Sequence, residues 1–218
     1  WALEPMHHWG MMSSQDGGSK TLIAWHRWLL GWLDEDQAYC LPSDVLDSAE
    51  VTLIPIERQA AGIKAAMVPV SDRKVVVVES RRKEGYDSEL GDNVFIPVGY
   101  YDEDGVRRQR ALGDIGTSGV IVYTYDTSIH DTNGQARLQV PEGRPTGIEM
   151  VSCPVTVCTW GEAMRDDPFI NWDPNDENAV MMQTGYDPLL RLGDSVTVEG
   201  VTIELTQSGD YDRVRISK

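Results

Sequence analysis

Between residues 19 and 37 the segment "SKTLIAWHRWLLGWLDEDQ" places Leu22, Trp25, Trp28, Leu29 and Trp32 at spacings of three and four. That period predicts one amphipathic helix with a single apolar face. Ser19 can cap its start, and Gly31 with the acidic run that follows predicts an end near Trp32 or Leu33. On this reading the tryptophans anchor a core, because aromatic side chains bury large areas. His26 falls off the stripe and is expected to be half-exposed.

After Pro42 the pattern changes. Short runs rich in β-branched residues alternate with Gly, Pro, Asn and Asp clusters. Strands are predicted at 51–56, 63–69, 74–80, 94–98, 119–125, 136–140, 195–198, 201–208 and 212–216. "VEGVTIEL" reads as a hairpin turning at Glu199-Gly200, and "YYDEDGVRRQR" as one with Asp104-Gly105 at its tip. No helical period returns after residue 33, and no internal repeat appears. The expected architecture is mainly β: an antiparallel β-sandwich over residues 43–218, preceded by a short helical piece within 1–42.

The chain is 218 residues long, enough to bury a core without staples, and its apolar fraction of 41% is globular rather than disordered. No run of eighteen apolar residues occurs, so no membrane-spanning helix is expected. The formal charge of −16 argues against nucleic acid as a partner, since phosphates need Lys and Arg. It fits either a solubilising surface or carboxylates gathered for divalent cations. Of three cysteines, Cys153 and Cys158 in "CPVTVC" are spaced for a bridge closing a small loop. They lack the further ligands of a zinc knuckle. Cys40 is then free, or paired outside the chain.

The segment "DDPFINWDPNDEN" carries Asp173, Asn175 and Asp176 among other oxygen ligands, which suits calcium. The EF-hand glycine and terminal glutamate are missing, and solvated turn carboxylates are the competing reading. "YDEDG" and "DTSIHDTNG" are further calcium candidates, but the first reads as a hairpin tip and Asp131–Gly134 of the second as a turn. In "ESRRKEG", Glu79 and Arg81 lie on one side of a strand with Arg82 opposite, the arrangement of an ion pair on a sheet face. No G-x-S-x-G, P-loop or G-x-G-x-x-G occurs.

Four stretches carry a resemblance. "WGMMSS" followed by "AWHRWLLGWL" is similar to the "W-D-x-M-S … W-x-K-x-x-L-G-W" stretch of secreted zinc metallopeptidases of the gametolysin and immune-inhibitor-A type. "VVVVESRRKEGYDSEL", "GVIVYTYDTSIHDTNGQARLQV" and "LRLGDSVTVEGVTIEL" resemble segments that follow in that family, in the same order. The resemblance implies that residues 1–42 end a catalytic domain and that Met12 lies on its Met-turn, the apolar floor beneath the zinc. His7, His8 and Trp9 would then border the active-site cleft. Two features depart from the family. Gly10 stands where an Asp often follows the Trp, and the zinc-binding H-E-x-x-H is absent. His7, His8, His26 and His130 include no pair at i, i+4, so the two imidazoles a zinc site draws from one helix are missing.

Two expectations follow. On the first, the chain is the C-terminal part of a secreted zinc endopeptidase acting on protein or peptide substrates. The zinc ligands lie upstream of residue 1, and the chain alone is inactive. The alternative is a non-enzymatic extracellular β-sandwich module for adhesion or assembly, stabilised by calcium.

Overall fold

The computed structural model describes residues 6, 9–11, 21–88, 90, 97–101, 107–111, 118–129, 135–142, 144, 149–151, 180–182 and 188–218. The chain forms two compact units. One comprises Trp1–Leu3, Val94–Ile115 and Pro145–Asp187, and the other Glu4–Asn93, Gly116–Arg144 and Pro188–Lys218.

The larger unit is a β-sandwich. Its first sheet has five strands: β1 (Ala38–Cys40), β3 (Ala65–Pro69), β4 (Lys74–Arg81), β7 (Gly119–Asp126) and β8 (Ala136–Leu138), in the order β1-β3-β4-β7-β8. Its second sheet has β2 (Ser48–Leu53), β11 (Ser195–Val198), β12 (Val201–Gln207) and β13 (Asp212–Ser217), in the order β11-β12-β13-β2. All pairings are antiparallel except β1 with β3. β1 escapes prediction because its three residues, Ala-Tyr-Cys, show no alternation.

Alternation built the second sheet. Val51 and Leu53, Ile203 and Leu205, and Val214 and Ile216 point inward, their even-numbered or odd-numbered neighbours outward. They meet Ala66, Val68, Val76, Val78, Val120 and Val122 of the facing sheet in one continuous apolar core. β4 and β7 read instead as unbroken apolar runs, and both are buried on both faces. Something therefore covers the outer side of the five-stranded sheet.

The β2 run was expected to reach Ile56 but ends at Leu53. Pro55 has no N–H to donate. Ile54 N–H reaches Ile63 O (2.8 Å) and Ile56 N–H reaches Ser80 O (2.9 Å), so the chain crosses here from one sheet to the other. The Glu199-Gly200 hairpin is as expected. Both residues have positive φ, 52° and 76°, as a type I′ turn requires, and Val198 pairs with Val201.

In the smaller unit, β5 (Pro97–Tyr101) pairs antiparallel with β6 (Arg107–Ala111), from Tyr101–Arg107 to Pro97–Ala111. β9 (Glu149–Val151) pairs antiparallel with β10 (Val180–Met182). The Asp104-Gly105 tip lies outside the described residues.

Candidate functional site: a short helix on a buried charge network

The predicted helix exists only as α1, Ala24–Leu29. Gly31, at φ +70°, ends it. Trp32 N–H bonds Arg27 O (2.8 Å) and Gly31 N–H bonds Trp28 O (3.1 Å), the paired bonds of a Schellman motif. Ser19 lies outside the described residues, and the N-cap position is Ile23, with no side-chain cap. The first donors of α1 are met from the sheet below: Ala24 N–H by Glu79 Oε2 (2.6 Å) and Trp25 N–H by Tyr123 Oη (3.2 Å). A carboxylate at a helix N-terminus is electrostatically favourable, and here it also satisfies an orphan donor.

Glu79 is the hub. Its Oε1 accepts from Arg81 (2.7 Å) and its Oε2 from the Tyr123 hydroxyl (3.1 Å). Arg81 forks onto Asp87, with Nε at 2.7 Å and Nη2 at 3.1 Å. Glu79, Arg81, Asp87 and Tyr123 are all fully buried. Burial alone would pull the Arg81 guanidinium down, but Glu79 and Asp87 more than offset it and hold it above its ordinary range. Burial, reinforced by the Glu79 charge, pushes the Tyr123 phenol well up. Arg82, just past the end of β4, bonds both carboxylate oxygens of Asp212 (2.8 Å). Asp212 also accepts from Ser80 (2.7 Å), linking the two sheets at one end.

A second anchor fixes the chain leading into α1. Glu57 accepts from both Thr21 Oγ1 and Arg27, and Arg27 also donates to Leu22 O (3.1 Å). Trp25 packs against Tyr125 with ring centroids 5.2 Å apart, and His26 meets the same ring edge-on at 5.7 Å. Burial lowers the His26 pKa, with Glu79 opposing.

The expected apolar face is not buried along its length. Leu22, Ile23 and Ala24 are covered, but Trp28, Leu29, Leu30 and Trp32 are exposed, Leu29 to 61% and Trp32 to 66%. The core-anchor reading of Trp28 and Trp32 is thus corrected. A helix of six residues has less than two turns, and the Schellman exit carries Trp32 out of the stripe. Met6, Trp9, Leu22, Ile23 and Leu33 are the apolar residues of this N-terminal stretch that are buried.

Of the residues singled out from sequence, Trp9 is fully buried and donates its backbone N–H to Met6 O (3.0 Å). Cys40 is an exposed free thiol. His7, His8, Met12, His130, Cys153, Cys158, Asp173, Asn175 and Asp176 lie outside the described residues. Among the described residues no group of three or more His, Cys, Asp or Glu is placed to hold a metal ion. Nor is any helix among them long and apolar enough to cross a membrane. Asp126, in "DTSIHDTNG", accepts from Ser128 N–H (2.9 Å) and Oγ, while the turn expected at Asp131–Gly134 lies outside the described residues.

Sequence reasoning found the Glu79–Arg81 pair but missed Asp87 and Tyr123. A signal for Asp87 was present, a charged residue six positions beyond Arg81 in a Gly-containing turn. Tyr123 sits in an apolar run and carries no local mark.

The larger unit is thus a two-sheet β-sandwich with a helix-bearing segment pinned to the outer face of one sheet by buried charges. Comparison of the chain with protein-family models, with curated proteins and with solved structures returns no match.

Proposed function

We propose that this chain is the C-terminal part of a secreted zinc-dependent endopeptidase, the end of its catalytic domain followed by a β-sandwich, and catalytically incomplete by itself. Zinc and the general base are supplied by residues outside the 218, and the substrate is a protein or peptide held by that catalytic part. The four ordered motifs support the reading. The observation that carries it is the run of exposed apolar residues Trp28, Leu29, Leu30 and Trp32 at the end and exit of a helix whose first turn is held by Glu79 and Tyr123. An apolar run on a rigid base is what a packing partner needs, since exposed patches of this kind mark interaction sites. Calcium bound through Asp173, Asn175 and Asp176 belongs to the same proposal as a structural ion.

The test uses the protein with its native N-terminal extension. Casein hydrolysis should be abolished by a zinc chelator and restored by zinc. Leu29→Asp with Trp32→Asp should reduce it strongly while leaving the thermal unfolding of isolated 1–218 unchanged. Zinc-dependent cleavage by 1–218 alone would overturn the proposal. So would an upstream reading frame that lacks H-E-x-x-H, which leaves the adhesion module as the better reading.

A further inference from the structure

A cleft of about 380 Å³ opens where α1 exits toward β1, on the side of the sandwich unit bounded by the Ile56–Ala61 turn. Ligand pockets begin at about this size. Its walls include the indole of Trp32, Leu33, Ile56 and Ala60, with Arg27, Arg58 and Lys64 as cations. The three cations differ. Arg27 is neutralised by Glu57, and Arg58 by Glu84. Lys64, only 4% exposed, donates to two backbone carbonyls, Pro55 O (3.1 Å) and Arg58 O. Among the described residues no carboxylate lies within ion-pair distance of its ammonium.

That arrangement is unusual in a chain of net charge −16. A buried ammonium is normally paired, because backbone dipoles offset only part of its lost hydration. Burial, and the nearby charges of Arg27 and Arg58, pull the Lys64 pKa below the ordinary lysine value, and the more distant Glu84 carboxylate offsets only part of this. Lys has three N–H donors, and two are taken. Gln37 Oε1 accepts from Asp34 N–H (3.0 Å), which leaves its Nε2 group to donate, and the exposed Gln59 amide lines the same cleft.

The geometry points to a binding site for a small carboxylate, the chemistry of a peptide's C-terminus. The carboxylate takes the third N–H of Lys64 as a direct ion pair, its second oxygen takes a glutamine amide, and the carbon next to it lies beside the exposed Trp32. Asp34, at the same wall, disfavours a dianion, so phosphate is a poor fit. The inference stands independently of the peptidase reading, because it uses only the cleft of the purified chain.

Isothermal titration of the 218-residue protein with N-acetyl-leucine, with N-acetyl-leucinamide and with inorganic phosphate tests it. Saturable binding is expected for the carboxylate and not for the amide, with phosphate weaker. Lys64→Met should weaken carboxylate binding about tenfold or more, as expected when a hydrogen bond to a charged group is lost. Trp32→Ala and Gln59→Ala, both at exposed side chains, should each weaken it severalfold with unchanged thermal unfolding. These two carry the test if Lys64→Met does not fold. Absence of binding, equal binding of the amide, tighter binding of phosphate, or affinity indifferent to the variants that fold would each overturn the assignment.

Discussion

The two faces of β4 are held by opposite kinds of force. Its inner face presents Val76 and Val78 to the apolar residues of the facing sheet, a contact with no preferred partner and no direction. Its outer face presents Glu79 and Arg81, fully buried, and each bonds a particular atom on a particular neighbour. The inner contact tolerates any chain that fills the volume. The outer one accepts only the segment that brings Ala24 N–H, Asp87 and Tyr123 to the right places. The sandwich thus supplies stability, and the charge network supplies the position of α1.

The sharpest way to break this contrast is Arg81→Met. It removes the buried cation that both Glu79 and Asp87 bond. Breaking a buried pair from one side is expected to cost about 3 to 5 kcal/mol. Urea unfolding of the variant measures it. Replacing Glu79, Arg81 and Asp87 together with apolar residues of similar volume should recover most of that loss, because the penalty lies in the unpaired charges. Recovery of stability without recovery of α1 would separate the two roles, and the ellipticity and tryptophan emission of the α1 segment report the second. A triple variant as unstable as the single one would refute the separation.

On the inner face the matching change is Leu205→Ala, at a fully buried residue of β12. Lost transfer energy and the residual cavity together predict about 3 kcal/mol. Here the urea midpoint should fall while the α1 segment keeps its emission until global unfolding. A selective early change at α1 would show that the two faces are not independent.

This difference also explains what the sequence disclosed. A two-residue period marks a half-buried strand by itself, so β11, β12, β13 and the Glu199-Gly200 turn were readable to within a residue or two. A three-to-four-residue period marks only that a helix would be amphipathic. It does not say how long the helix is, or that a glycine at positive φ ends it after six residues. The Glu79–Arg81 pair was visible because both partners sit on one strand, two residues apart. Its other contacts reach across 55 residues to Ala24 and 44 to Tyr123, and no local spacing encodes them. The Lys64 cleft was invisible for the same reason: its walls come from the exit of α1, the 56–61 turn and the residue before β3.

Tyr123→Phe probes the network at lower amplitude. It removes a hydroxyl that donates to Glu79 and accepts from Trp25 N–H, leaving that donor unpaired. About 2 kcal/mol is expected at neutral pH. The same residue sets an alkaline limit. Its folded pKa lies well above the ordinary tyrosine value, so the folded state disfavours the phenolate. The associated stability is complete below the unfolded pKa near 10 and declines as pH rises beyond it. Thermal unfolding across that range should show a slope that is shallower in the phenylalanine variant. Equal slopes would mean that other groups govern the alkaline limb.

The smallest effect sharpens the comparison at the helix exit. Gly31 has open space around its α-carbon, so Gly31→Ala meets no steric neighbour and tests the φ of +70° alone. A left-handed alanine should cost about 1 kcal/mol, and Gly31→Asn less, because asparagine tolerates that region better. The change should also reorient Trp32 by disturbing the Trp32–Arg27 bond, leaving the Glu79 contacts at the other end of α1 intact. Altered Trp32 emission with an unchanged urea slope would show that the exposed end of α1 is set by its own cap. Loss of the first turn as well would mean that six residues unfold as one unit, and that the buried network needs the Schellman exit to hold its helix.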